Sequence, residues 1–310
     1  MSQENAKNPI DVEKAKEIAK SPKGKIGAVI SIVVILAVVG ALVFFFTKVD
    51  SPDDYEYSLT ITDATITGLK NKNLEALKIP KDIDGVPVTI IGGSAFENCT
   101  AITSVNLPDS VREIGSKSFT NCISMTSVSM PDSLETIGTA AFSECSSLSK
   151  ISIPDSVKSV GSYAFSNCKE LKSVSLPETV AEIKSYTYFQ CTHLISVDVP
   201  NQVSNIGEAA FCKCSSLKKI SIPNYVTQIN NASFQGCTSL TKVEIPKSVT
   251  TISAYAFLDC TGLKRIDIPA TVHTIHNHAF DGCPDLTIYG VKGSEAEKYA
   301  RKNKISFKEL

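Results

Sequence analysis

The stretch LSKISIPDSVKSVGSYAFSNC, Leu148 to Cys168, decides the fold, because the chain repeats its pattern again and again at a step of 23 residues. Cys99, Cys122, Cys145, Cys168, Cys191, Cys214, Cys237, Cys260 and Cys283 keep that step without a slip. An aromatic stands three residues before each of them, from Phe96 through Tyr188 to Phe280. A hydrophobic triplet such as Leu148, Ile151 and Ile153 follows each cysteine, and then a proline, from Pro108 to Pro269, with Pro80 one longer unit of 28 residues upstream. Fixed-period self-similarity of this length marks a solenoid, in which each coil hides its apolar face only against its neighbours.

Within the unit L-x-x-I-x-I-P-x-x-V-x-x-I-G-x-x-A-F-x-x-C, the first piece alternates and carries Val and Ile, so it reads as a strand stacked in parallel on the next coil's strand. Proline ends that strand by removing a ladder donor. V-x-x-I is a second, shorter extended piece. The Gly-Ser-x-Ala-Phe segment, with Ser116, Ser162 or Ser185 after the glycine slot, predicts an N-capped single helical or 3₁₀ turn. The fold class is therefore a mainly β solenoid, a right-handed superhelix with a parallel strand ladder and short helical or 3₁₀ turns.

The repeats resemble the BspA-like leucine-rich repeat proteins of the Treponema pallidum type, found largely on bacterial surfaces. The resemblance covers roughly Tyr55 to Leu310 and includes the longer first unit from Ile79 to Gly92. It also includes a closing segment, Leu286 to Gly290 with Gly293 to Ala300, similar to the family's C-terminal cap. Ser294 and Glu297 have capping-box spacing, which predicts a short helix sealing the last coil. For function the resemblance implies surface display and adhesion or partner binding, and no more, because sites are grafted on folds.

Upstream, Ile26 to Phe46 is an apolar run of 21 residues, fifteen of them Ile, Leu, Val or Phe, long enough to cross a bilayer as a helix. Those fifteen contribute about 5 to 9 kcal/mol of favourable insertion. Lys14, Lys16, Lys20, Lys23 and Lys25 precede the run, and Asp50, Asp53, Asp54 and Glu56 follow it. The positive-inside rule then puts the N-terminus in the cytoplasm and the repeats outside a single-pass cell membrane protein. The end of the run offers no small-x-small cleavage site, which favours a signal anchor over a cleaved signal peptide. The expected domains are a cytoplasmic tail (1–25), a transmembrane helix (26–46), a linker and N-terminal cap strands (47–73), leucine-rich repeats (74–289) and a C-terminal cap (290–310).

Chemistry is excluded more easily than binding. The 31 Lys+Arg against 32 Asp+Glu give no basic field for nucleic acid. No G-x-S-x-G, phosphate loop or H-E-x-x-H occurs, and pairs such as Asp109-Ser110, Asp132-Ser133 and Asp155-Ser156 are copies of one turn, so no enzyme and no cofactor are expected. Each clock cysteine occupies a core slot, where it acts as a small hydrophobe rather than a disulfide partner. Cys212 sits in a slot held elsewhere by Glu97, Thr120, Ser143, Gln235 or Asp281 and is expected at the surface. Cys212-Lys-Cys214 lacks further ligands for zinc, and His273, His276 and His278 read as an exposed polar turn.

A partner would meet the outward residues of the strands. One row runs Asn106, Ser129, Ser152, Ser175, Asp198, Ser221, Glu244, Asp267, and its neighbour runs Ser104, Ser127, Lys150, Ser173, Ser196, Lys219, Lys242, Arg265. With Lys172, Lys218 and Lys264 alongside, the C-terminal half becomes a charged ribbon, a landing strip for an extracellular or cell-surface protein. Tyr163 and Tyr186, adjacent in their own column, form a second candidate patch. Adhesion through the ladder is the leading expectation; a structural or sensory envelope component binding cell-wall glycan or a membrane partner is the alternative.

Overall fold

The computed structural model describes residues 55–310; the tail, apolar run and start of the linker expected before them lie outside the described residues. The solenoid opens with an antiparallel hairpin, β1 (Tyr55–Leu59) and β2 (Ala64–Leu69), whose second strand pairs in parallel with β5 (Val86–Ile91). The inserted residues of the longer first unit make β4 (Asp82–Ile83), which turns back antiparallel on β5. Every later coil is parallel to the one before it.

Each coil contributes to two ladders. The first is built from the L-x-x-I-x-I segments and comes in three blocks. The opening block is β3 (Ala76–Lys78), β6 (Ser104–Asn106) and β8 (Ser127–Ser129); the middle one is β11 (Ser173–Ser175) and β13 (Ser196–Asp198). The closing block is β16 (Lys242–Glu244), β18 (Arg265–Ile268), β20 (Thr287–Gly290) and β21 (Ser306–Glu309). Both interruptions fall on coils with one identical pentapeptide, Lys150-Ile-Ser-Ile-Pro154 and Lys219-Ile-Ser-Ile-Pro223. The amides of Ile79, Leu107, Leu176 and Ile245 bond to the next coil, whereas those of Met130, Ile153, Val199 and Ile222 make no such bond among the described residues.

The second ladder is the V-x-x-I piece, two residues wide after β5: β7 (Glu113–Ile114), β9 (Thr136–Ile137) and β10 (Ser159–Val160), then β12 (Glu182–Ile183) and β14 (Asn205–Ile206), then β15 (Gln228–Ile229), β17 (Thr251–Ile252) and β19 (Thr274–Ile275). The residue after these strands is Gly115, Gly138, Gly161 or Gly207, and Ser253 or His276 in the closing block; all of these amides reach the preceding coil at 2.7–2.9 Å. A Cβ on Gly161 would stand 2.4 Å from the backbone nitrogen of Thr139. Lys184 and Asn230 hold that slot at the two breaks, and there Asn230 Nδ2 donates to the Ile206 carbonyl at 2.7 Å.

The third side is not helical, which corrects the expected helical or 3₁₀ turn. Each coil places two residues in the left-handed region, as at Lys117 (φ 58°) and Asn121 (φ 61°). The alternation sends amides in opposite directions. Lys117, Phe119 and Asn121 each donate to the next coil at 2.8 Å, while Ser118, Thr120 and Cys122 close local turns at 3.0–3.3 Å. A helix would spend every amide inside one coil and leave none to join coils. Asn98, Asn121, Asn167, Gly236 and Gly282 occupy one of these columns because such residues tolerate a positive φ.

Inward, Phe96, Phe119, Phe142, Phe165, Tyr188, Phe211, Phe234, Phe257 and Phe280 stack coil upon coil with centroids 5.0–5.7 Å apart. All ten cysteines are free and buried. The clock thiols do more than fill space: from Cys122 to Cys283 each Sγ donates at 3.1–3.2 Å to the aromatic's carbonyl in the preceding coil. The last coil is sealed by α1 (Glu295–Lys302), which buries Ala296, Tyr299 and Ala300. Its cap differs from the capping box: Glu297 accepts from the Gly293 amide at 2.6 Å, and the Ser294 hydroxyl makes no cap bond. One contiguous core thus runs from Tyr55 to Ala300, closed by a hairpin at one end and a helix at the other.

Candidate functional site

The proline turn, the strand and the next coil's strand together shape a recess in the middle of the first ladder: a groove of about 420 Å³ lined by Ser175, Glu178, Ser196, Asp198, Lys219 and Ser221. It lies at the second ladder break, where the Val199 and Ile222 amides bond to no other coil. An exposed strand with unspent backbone donors and acceptors is a template for pairing with another chain. Asp198 and Lys219 are both exposed and have no ion-pair partner among the described residues.

The ladder charges nearer the C-terminus are spent internally. Lys242 Nζ lies 2.5 Å from Glu244 Oε1 and 3.9 Å from Asp267 Oδ2. Arg265 grips Asp267 through two bonds of 2.7 and 3.1 Å and lies 4.0 Å above the Tyr289 ring. Lys308 Nζ lies 5.9 Å from the centre of the same ring. The expected landing strip therefore divides: Lys242, Glu244, Arg265 and Asp267 form a closed network, while Lys150, Lys172, Lys218, Lys219 and Lys264 remain exposed without ion partners among the described residues. Tyr289 escaped the sequence reading because the step from Asp267 to its register partner is 22 residues, one short of the period.

Tyr163 and Tyr186 are not on this face. They belong to the left-handed turn edge, with φ 60° at both, and stack at 4.6 Å with their planes 3° apart. Tyr186 donates its hydroxyl to Glu208 Oε1 at 3.3 Å and meets the edge of Phe189. Farther along, Tyr255 stacks on His278 at 5.7 Å, and Asp281 lies 2.6 Å from His278 Nδ1. Among the described residues no three His, Cys, Asp or Glu side chains gather as a metal site.

Cys212 is buried, 5% exposed, which corrects the expectation of a surface thiol. Its column also contains Phe189, Leu258 and the buried Ser166, so the slot is only partly outward. Burial raises the pKa of Cys212 and of every clock thiol, because an apolar surround disfavours the thiolate. Nothing in these surroundings activates a nucleophile.

The BspA type leucine rich repeat region matches the chain in six copies, over residues 67–195 and 181–300. Among solved structures, a leucine rich repeat protein of T. pallidum is 25% identical over 84% of this chain and 97% of its own, with a TM-score of 0.50. A leucine rich cell surface protein from Faecalibacterium prausnitzii A2-165 is 26% identical over 83% of this chain and 98% of its own, with a TM-score of 0.41. A leucine-rich repeat protein from Bacteroides ovatus is 23% identical over 84% and 99%, with a TM-score of 0.37. No curated protein matches the chain.

Proposed function

The chain belongs to the BspA-type leucine-rich repeat family, and on that premise we propose that it is a non-enzymatic binding module displayed at the cell surface, taking a protein partner on its first strand ladder. The observation that carries this reading is the groove at the Lys219–Pro223 break, where unspent backbone amides lie beside an unpaired acid, Asp198, and an unpaired base, Lys219. Polar groups of the partner reach the open amides along the groove, and its charges meet Asp198 and Lys219. The exposed Lys172, Lys218 and Lys264 flank the groove and favour an acidic partner surface by steering its approach. The Lys242–Glu244–Asp267–Arg265 network holds the adjoining block rigid. In this reading the apolar run 26–46 anchors the chain, with the first 25 residues in the cytoplasm and the repeats outside.

The test is binding of residues 55–310 to an array of extracellular matrix proteins, host receptors and bacterial glycans, with Lys219→Glu and Arg265→Glu alongside. Saturable binding to a protein, weakened about tenfold or more by Lys219→Glu at unchanged circular dichroism, is expected. Binding confined to glycan, or protein binding that Lys219→Glu leaves intact while Arg265→Glu removes it, refutes the groove as the site.

A further inference from the structure

The proline turn repeats one device, and two neighbouring coils abandon it. The second residue after the proline is Ser110, Ser133, Ser156, Thr179, Ser248 or Thr271, and each of these hydroxyls donates at 2.5–3.2 Å to a carbonyl of the preceding coil. Gln202 and Tyr225 hold that slot in between, so the carbonyls of Val180 and Val203 receive no such hydroxyl bond among the described residues. The first residue after the proline changes on the same two coils. Asp109, Asp132, Asp155 and Glu178 give way to Asn201 and Asn224, and Lys247 follows.

The open ladder does not require this exchange. The earlier break carries the same Lys-Ile-Ser-Ile-Pro pentapeptide, yet it keeps Asp155 and Ser156, and Ser156 still donates to the Leu134 carbonyl at 2.6 Å. Tyr225 thus gives up a bond between coils that its counterpart retains. In return the ring stands in solvent: it is 66% exposed, more than any other large hydrophobic side chain among the described residues. Tyr163 and Tyr255 are exposed too, but they stack on Tyr186 and His278. The Tyr225 ring meets no other ring among the described residues.

The surroundings of that ring select the ligand. A tyrosine that anchors a protein partner is bordered by contacts that shut out water. Here the neighbours are the exposed amides Asn201 and Asn224 with the half-buried Gln202, and no other exposed large hydrophobic side chain lies on these two turns. Gln202 spends its Nε2 on the Glu178 carbonyl, which leaves Asn201 and Asn224 as the polar groups beside the ring. An amide presents a donor and an acceptor together, the pair that a sugar hydroxyl both offers and needs, whereas the carboxylates of the earlier coils only accept. The electron-rich face of an aromatic ring takes the C–H face of a pyranose. The column also passes from Glu178 through two neutral amides to Lys247, so no single sign of charge governs the site.

We infer that Tyr225, Asn201 and Asn224 form a binding site for a neutral glycan. One pyranose ring lies on Tyr225, and its hydroxyls pair with the two amides, which stand one coil, about 4.8 Å, apart. This site lies beside the ladder groove and takes a different ligand, so it does not rest on the protein-partner reading.

The repeat supplies variants that the fold already accepts. Tyr225→Ser restores the hydroxyl of the other coils, and Asn201→Asp with Asn224→Asp restores their carboxylates. Isothermal titration of residues 55–310 with cellohexaose, maltohexaose, chitohexaose and mannohexaose should show saturable, millimolar or tighter binding of at least one of them. Tyr225→Ser should weaken that binding about tenfold or more, and so should the double aspartate variant, while Tyr225→Phe, which keeps the ring, stays within about threefold of the parent. The urea midpoint of Tyr225→Ser should hold or rise, because the Val203 carbonyl regains a donor. Lys219→Glu, which weakens the protein partner, should leave glycan affinity unchanged. No binding by any of the four hexasaccharides, or binding that survives Tyr225→Ser or the double aspartate variant, overturns the inference. So does a Tyr225→Phe as damaging as Tyr225→Ser, and so does a lowered urea midpoint in Tyr225→Ser, which would make the ring structural. Loss of a protein partner instead of a glycan in Tyr225→Ser would place the ring in the protein interface and overturn it equally.

Discussion

Replacing Cys191 by alanine and, separately, by serine distinguishes a thiol that fills space from a thiol that bonds. Cys191 is fully buried, and its Sγ donates at 3.1 Å to the Phe165 carbonyl of the preceding coil. Alanine removes the sulfur and leaves a small cavity between Cys168 and Cys214, while the Phe165 carbonyl keeps only its bond from the Cys168 amide at 3.2 Å. The lost burial and cavity cost about 1 to 2 kcal/mol, and the lost thiol bond adds about 0.5 to 1.5 kcal/mol. Serine also shrinks the side chain, but it keeps a donor on the same atom and lengthens the contact by only a few tenths of an ångström, so its cost stays near about 1 to 2 kcal/mol. Urea unfolding of residues 55–310 followed by circular dichroism measures the difference. With an m-value of about 3 kcal/mol/M, alanine should lower the midpoint by about 1 M and serine by about half as much. Serine as damaging as alanine, or more so, at equal m-values would show that the column is hydrophobic filler and that the sulfur–carbonyl bonds contribute nothing.

Alkali provides a second view of the same column. Burial pushes the thiols of Cys145 and Cys283 up from an ordinary 9.0 to about 12. Folding therefore prefers the protonated thiol: that stability is complete below pH 9 and drains away between about pH 9 and 12, where unfolding should set in; a midpoint in urea flat across that range contradicts the reading. Native protein at pH 8 should react with Ellman's reagent at few thiols and at many more after denaturation. Lys213 holds φ 61° in a column where Gly236 and Gly282 hold the same conformation, so Lys213→Gly should raise stability by about 0.5 to 1 kcal/mol in the same unfolding experiment. Arg265→Ala should lower the melting temperature by freeing Asp267 and uncovering Tyr289, whereas Lys219→Ala, which breaks no internal pair, should leave it unchanged.

The repeat, its two strands per coil and the inward rows were legible in the chain because a period of 23 leaves no alternative register: each apolar slot is confirmed by its copies. The turn was misread as helical because Gly-Ser followed by Ala-Phe looks like a cap and a first turn. The contrary signal was the Asn and Gly of Asn98, Asn121, Asn167, Gly236 and Gly282, residues suited to a left-handed backbone. Cys212 was misplaced because only the polar members of its column were weighed; Phe189 and Leu258 stand in that column too. The charged ribbon was visible as a composition but not as a network, because whether Arg265 is free depends on Tyr289, which lies off the period.

What distinguishes this solenoid from any other of its length therefore resides where the copies disagree. The core columns tolerate little variation, and a residue that merely repeats there reports the fold. A departure that recurs in an organised way needs another cause. Lys-Ile-Ser-Ile-Pro appears twice, and each time it coincides with an open ladder.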